Sequence, residues 1–252
     1  MFGFLYSVFA YVAFLASFGY LAFFANDLLV PFTVDSGQPG GAFSSVLVDV
    51  GLILLFGVQH SVMARDSFKR RITRVLPAHL ERSTYVLASA LALVVLYAGW
   101  QPVPGLVWHV ETPALRVALY GLNALGWVGV PVASFLIDHF DLFGLKQAFA
   151  AWRKRSFSAK GFVTPVLYRH CRHPMMTALM VGLWAAPDLT VGHAVLSAGM
   201  TLYIVIGVHF EERALRRELG EAYAQYQQRT PKFVPRFGSP RAQTLTPAAQ
   251  TD

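Results

Sequence analysis

Between Met1 and Asn26 the chain carries no charged residue. An apolar run of that length is stable in lipid only as a helix, because peptide groups left unpaired in hydrocarbon each cost several kcal/mol. This first run extends from near Phe4 to Val30, and others follow at Ser44–Met63, Thr84–Trp100, Ala114–Ile137, Pro174–Ala186 and Gly192–His209. With 55% hydrophobic and 14% charged residues and a positive mean hydropathy, the composition excludes an ordinary soluble domain. The expected fold class is all-α: a polytopic membrane helix bundle of about five to six transmembrane helices with a cytoplasmic C-terminal amphipathic helix. The fifth run reaches only about 20 Å at the helical rise, short of a hydrocarbon core of roughly 30 Å. It reads as a tilted or incomplete hairpin with the sixth, turned at Pro187-Asp188, and five spans is the alternative count. The first run lacks a basic start and a small-residue cleavage site, so it stays as a helix and is not a removable signal.

Charge orients the bundle. Arg65, Lys69, Arg70, Arg71, Arg74 and Arg82 follow the second run, and Lys146, Arg153, Lys154, Arg155, Lys160, Arg169 and Arg172 follow the fourth. Under the positive-inside rule both loops and the C-terminal tail are cytoplasmic, as is the N-terminus if the spans number six. The net charge of +7 lies beside apolar runs, where topology and anionic headgroups explain it; no nucleic acid partner is expected, and the lipid bilayer is. A single cysteine, Cys171, excludes an internal disulfide framework. The organisation reads as N-terminal transmembrane helices over 1–137, a cytoplasmic connecting segment over 138–173, a C-terminal hairpin and cofactor-binding region over 174–235, and a tail over 236–252 that is disordered by composition.

Four polar clusters fall at cytoplasmic helix ends: Gln59-His60-Ser61 with Arg65, Asp138-His139-Phe140-Asp141, Tyr168-Arg169-His170-Cys171-Arg172-His173-Pro174, and His209-Phe210-Glu211-Glu212-Arg213. Ionisable groups at a membrane mark a functional site unless they merely snorkel to water. The third cluster admits three readings. It is an arginine-rich interfacial anchor, a metal pair built on His170 and His173, or an anion clamp in which Arg169, Arg172 and His173 present forked and imidazole donors at a helix start. No complete ligand set accompanies the histidine pair, so no metal site is assigned. Glu211 or Glu212 could accept from ribose hydroxyls, or Glu212 could simply pair with Arg216 four residues on. Beyond them Leu215, Leu219, Tyr223 and Tyr226 recur at helical spacing as an apolar stripe, Thr230-Pro231 ends the helix, and Lys232–Pro235 could return across the mouth.

The order YRHCRHPMM, an apolar hairpin, then FEERALRRELGEAYAQYQQRTPKFVP resembles the S-adenosylmethionine-binding region of the isoprenylcysteine carboxyl methyltransferase superfamily. FGVQHSVMARDSFKR, ERSTYVLAS and IDHFDLFGLKQAF resemble the bacterial methanethiol S-methyltransferases, extending the likeness over most of the chain, and membrane proteins encoded near nitric oxide reduction genes are similar too. The resemblance implies an S-adenosylmethionine-dependent enzyme of the bacterial inner membrane, with its active site facing the cytoplasm, converting a small thiol such as methanethiol to dimethyl sulfide. It implies that Arg169, Arg172 and His173 hold the methionyl carboxylate while Tyr168, His170 and Pro174 shape the pocket. Glu211 and Glu212 would address the ribose or amino group, with Tyr226 as a further contact. Because an alkyl thiol is a weak acid, a base is needed. His60 and His139 are the candidates, with Arg65 or Gln147 orienting and Asp138 or Asp141 fixing a tautomer. The alternatives are a prenylcysteine or lipid methyltransferase relative, a transporter with Asp49, His60 and Asn123 along its path, and a non-enzymatic component of nitrogen-oxide metabolism.

Overall fold

The computed structural model describes residues 1–38, 40–158 and 161–236; most of the tail expected to be disordered lies outside the described residues. Five helices are long and apolar enough to cross a membrane: α1 (Phe2–Ala25), α2 (Ala42–Met63), α4 (Glu81–Gly99, extended backward by a 3-10 turn at Ala78–Leu80), α5 (Pro113–Ile137) and α10 (Val191–Leu219). The basic helix α3 (Asp66–Ile72) follows α2, and α6 (His139–Leu142), α7 (Leu145–Trp152) and α8 (Val166–His170) join α5 to the short α9 (Pro174–Trp184). Helix α11 (Glu221–Arg229) closes the described chain. The molecule is a polytopic membrane helix bundle.

Two boundaries differ from the hydropathy reading. The first helix stops at Ala25, not Val30, because Asp27 and Leu29 take positive φ angles of 53° and 56° and turn the chain. The Asn26 amide donates to Ala22 O at 2.7 Å at that end. The last helix continues beyond His209 as expected, but to Leu219 and not to Thr230: Gly220 breaks it from α11 with φ 56° and ψ −130°, a conformation open to glycine.

The short helix α9 is the fifth of the six apolar runs and falls below spanning length. Its 11 residues rise about 16 Å, so it ends inside the bundle, where its last carbonyls need protein donors. Asn123 of α5 donates to Gly182 O at 2.8 Å, and His193 Nε2 and Ser197 Oγ of α10 donate to Leu183 O at 2.7 and 2.9 Å. From there the chain continues into a strand, β2 (Asp188–Thr190), that pairs antiparallel with β1 (Leu106–His109), between α4 and α5. Five helices therefore have the length to cross a membrane, and the shorter α9 is joined to α10 through this ladder. The ladder was not expected from the sequence, which placed only a turn at Pro187-Asp188.

Helix α9 can lie this deep because small residues let it approach α5. A Cβ on Gly126 would overlap the backbone of Gly182, and one on Gly129 would come within 2.9 Å of the Ala178 methyl. In lipid, where apolar surface gives no preference for protein over solvent, such close backbone packing is a main source of helix association. The core is aromatic and aliphatic, with Phe24, Leu96, Trp127, Leu183 and Leu196 buried between α1, α2, α4, α5, α9 and α10. It sets the bundle's far end, leaving the polar clusters at the end that carries α3, α6–α8 and α11.

Candidate functional site

The motif before α9 is split by its backbone. Tyr168, Arg169 and His170 form the last turn of α8, Cys171 is extended at φ −148°, and Pro174 opens α9, where its missing N–H costs nothing. The segment Pro231–Arg236 returns along this extended stretch. Arg172 N donates to Pro231 O at 2.9 Å, His173 N to Lys232 O at 3.2 Å, and Arg236 N to His170 O at 3.1 Å. Cys171 is buried against Lys232 O, Phe233 O and Thr177 Oγ1, as a small filler in this seam.

Of the two glutamates, Glu212 is consumed by the protein. Its Oε1 accepts from Arg172 Nε at 2.7 Å and His173 Nε2 at 3.1 Å, and its Oε2 lies 3.1 Å from Lys232 Nζ. Arg172 is consumed as well, since its Nη1 donates to Gln227 O and Thr230 O, carbonyls at the end of α11. An arginine tied to a buried carboxylate and a helix end is a structural clasp. Nε and Nη1 of Arg172 are thus taken up by the protein, which leaves Nη2 for the expected clamp of a ligand carboxylate.

Glu211 is different. Its side chain is 52% exposed and faces His173, whose Nδ1 lies 3.8 Å from Oε2. His173 thus stands between the two glutamates, one ring nitrogen toward each. The Glu211 charge reaches the hydroxyls of Tyr85, Tyr168, Tyr203 and Tyr223. Burial first, then this charge, pushes the Tyr168 phenol above its ordinary value, so it stays a hydrogen-bond donor. Arg169 is exposed, with Nε on Thr164 O at 3.3 Å, while His170 Nδ1 meets Arg236 O at 3.1 Å. Tyr226 donates to Tyr168 O at 2.5 Å and so props the motif from α11. The rings of His170 and His173 go to separate partners, and among the described residues no group of three or more His, Cys, Asp or Glu is placed to hold a metal ion.

The candidate bases His60 and His139 share one wiring. His60 Nδ1 meets Ser89 Oγ at 2.9 Å and Nε2 meets Tyr85 OH at 2.5 Å; His139 Nδ1 meets Ser134 Oγ at 2.6 Å and Nε2 meets Tyr11 OH at 2.7 Å. Each serine hydroxyl donates to a backbone carbonyl, Tyr85 O or Pro131 O. Nδ1 is therefore the donor nitrogen, and in the neutral imidazole Nε2 accepts from the tyrosine. Their surroundings separate them. His139 is buried among Phe135, Phe140 and Phe143, which holds it below the usual histidine range, and it pins α1 to α5. His60 sits between Phe56, Tyr85 and Tyr203, with Arg82 in electrostatic reach.

The supporting residues expected for these bases lie elsewhere. Asp138 accepts from Asp141 N at 3.3 Å and pairs with Lys146 at 2.5 Å, and Asp141 accepts from Gln147 Nε2 at 2.6 Å, so all three build the α5–α7 corner. Ser134 and Tyr11, not Asp138 or Asp141, set the tautomer of His139. Arg65 is the exposed N-cap of α3. Asp49 accepts from Gln101 N at 2.8 Å and Asn123 donates to Asn26 Oδ1 at 2.8 Å; together with His60 they serve three separate helix contacts. Tyr85, Ser89 and Tyr203 went unread in the sequence; asking which hydroxyls could satisfy a histidine inside a membrane helix would have found Tyr85.

The family model for NnrU protein matches residues 49–246. A methanethiol S-methyltransferase of Pseudomonas deceptionensis is 47% identical, covering 92% of this chain and 89% of its own. One from Pseudomonas sp. (strain GM41(2012)) is 46% identical over 93% and 90%, and one from Mycobacterium tuberculosis 43% over 92% and 95%. No solved structure matches the chain. With four-fifths of the bundle inside the family model and three such relatives aligned along nearly their whole length, the chain belongs to the NnrU protein family.

Proposed function

We propose that the protein is an integral membrane methyltransferase that transfers a methyl group from S-adenosylmethionine to methanethiol, releasing dimethyl sulfide. The observation that carries this reading is the division of labour between neighbouring glutamates: Glu212 is saturated by Arg172, His173 and Lys232, while Glu211 keeps an accessible carboxylate beside His173. The names of the relatives supply the thiol.

The residues fit the methyl donor. Glu211 would accept from its ribose hydroxyls or amino group, with His173 Nδ1 alongside. Arg169 and the amide end of α9 would hold its carboxylate, with Nε and Nη1 of Arg172 already engaged. Bound donor supplies an electrophilic methyl on a sulfonium, and the protein has to align a thiol sulfur behind it and favour the thiolate. A thiolate and a sulfonium lose their charges together, so a low-dielectric site at a membrane end favours the transfer. The apolar thiol enters from lipid, and the charged donor enters from the end bearing α3; the basic loops support a cytoplasmic position for that end in a bacterial inner membrane.

Headspace analysis of membranes given S-adenosylmethionine and methanethiol tests this. Dimethyl sulfide above the level of membranes lacking the protein is expected; turnover of prenylcysteine or lipid acceptors alone would refute the thiol, and no S-adenosylhomocysteine binding at millimolar concentration would refute the enzyme.

A further inference from the structure

We propose that Tyr85 is a catalytic residue, relaying the proton of the acceptor thiol to His60; this rests on the methyltransferase reading above. His60 cannot act alone. Its Nδ1 donates to Ser89, and its one basic nitrogen, Nε2, is capped by the Tyr85 hydroxyl at 2.5 Å. Anything that gives His60 a proton must give it through Tyr85 or displace it. The Tyr85 oxygen, having donated its hydrogen, keeps lone pairs for an S–H donor, and its side chain is only part-buried.

Position separates this relay from its twin. The groups around it are Glu81 and Arg82 on its own helix, α4, and Tyr203 and Glu211 from α10. Arg82 favours a thiolate nearby, and the charge of Glu211, a residue of the proposed donor pocket, is felt at Tyr85. Tyr11–His139 has the same bonds but faces Phe135, Phe140 and Phe143.

The step balances. The thiol proton passes to the Tyr85 oxygen as the Tyr85 hydroxyl proton passes to His60 Nε2. The thiolate sulfur forms the new bond to the donor methyl, the methyl–sulfonium bond breaks, and its electron pair stays on the departing sulfur as a neutral thioether. After release, the imidazolium returns its proton through the same hydroxyl to water.

The test exploits thiol acidity. Hydrogen sulfide is smaller and far more acidic than methanethiol, so it needs little help to ionise. Tyr85→Phe lowers kcat/KM for methanethiol at neutral pH by about a hundredfold, within the usual span for a lost acid–base group, and lowers that for hydrogen sulfide much less. His60→Gln behaves alike, and both keep S-adenosylhomocysteine binding. Tyr11→Phe shifts both thiols equally. Equal losses on both thiols in Tyr85→Phe, or none on either, overturn the relay; if that variant fails to bind S-adenosylhomocysteine, His60→Gln decides by the same criterion. A wild-type protein that methylates neither thiol overturns the methyltransferase reading itself.

Discussion

Arg172 Nε lies 2.7 Å from Glu212 Oε1, and each side chain is 9% exposed. A pair so placed is held less by its own attraction than by the penalty of separating it, since removing one partner strands a buried charge. It also binds three parts of the chain that are distant in sequence: the motif, α10 and the end of α11.

Glu212→Gln leaves Arg172 and Lys232 facing a neutral amide. The expected loss is about 3 kcal/mol, the lower end for breaking a buried pair, seen as a lower midpoint in thermal unfolding in detergent. Unchanged stability would mean that the clasp carries little.

Glu211→Gln should do the opposite. Its half-exposed side chain makes no short bond to the described residues, so stability should stay within about 0.5 kcal/mol. Losing a charge-assisted hydrogen bond to a ligand costs about 1.5–3 kcal/mol, so S-adenosylhomocysteine should bind roughly 10- to 100-fold more weakly by calorimetry. Equal affinity in the variant would remove Glu211 from the site.

Why was one glutamate distinguishable only in the structure? Hydropathy located the spans well: Pro113–Ile137 and Ala42–Met63 lie within two residues of the expected runs. Burial is a property of composition along one segment. Partnership is not, and Arg172 reads as an anion clamp until Gln227, Thr230 and Glu212 are folded around it. The same applies to β1, whose Leu-Val-Trp-His has no alternation to mark a strand and finds its ladder partner far along the chain, Leu106 against Thr190 and His109 against Asp188. Likewise, a lone tyrosine such as Tyr85 in an apolar helix forms no motif; it gains meaning from His60 on the neighbouring span.

Gly126→Ala tests how α9 reaches its depth. The added methyl has no room against the Gly182 backbone, so α5 and α9 must separate. Overpacking of this kind costs about 1–3 kcal/mol, and because α9 begins at Pro174, ligand affinity should fall with it. Gly19→Ala, with open space around its Cβ, provides the comparison and should leave the thermal midpoint unchanged or raised.

At the other end, Arg116 donates to both oxygens of Asp188, at 2.9 and 2.6 Å, and His109 Nδ1 lies 2.5 Å from Oδ1. The Arg116 hydrogen bonds first, and that of His109 second, hold the Asp188 carboxyl at about 2, below its ordinary value of 3.8. The unfolded chain therefore takes up this proton at higher pH than the folded one, and stability rises with pH between the two values. The contribution is complete above about pH 4 and disappears as pH falls through about 2. Thermal unfolding in detergent should show a wild-type midpoint that falls over this window, with a smaller fall in Asp188→Asn, which has no carboxyl to protonate. Parallel curves for the two proteins would show that the bridge joining β2 to α5 contributes nothing to acid sensitivity.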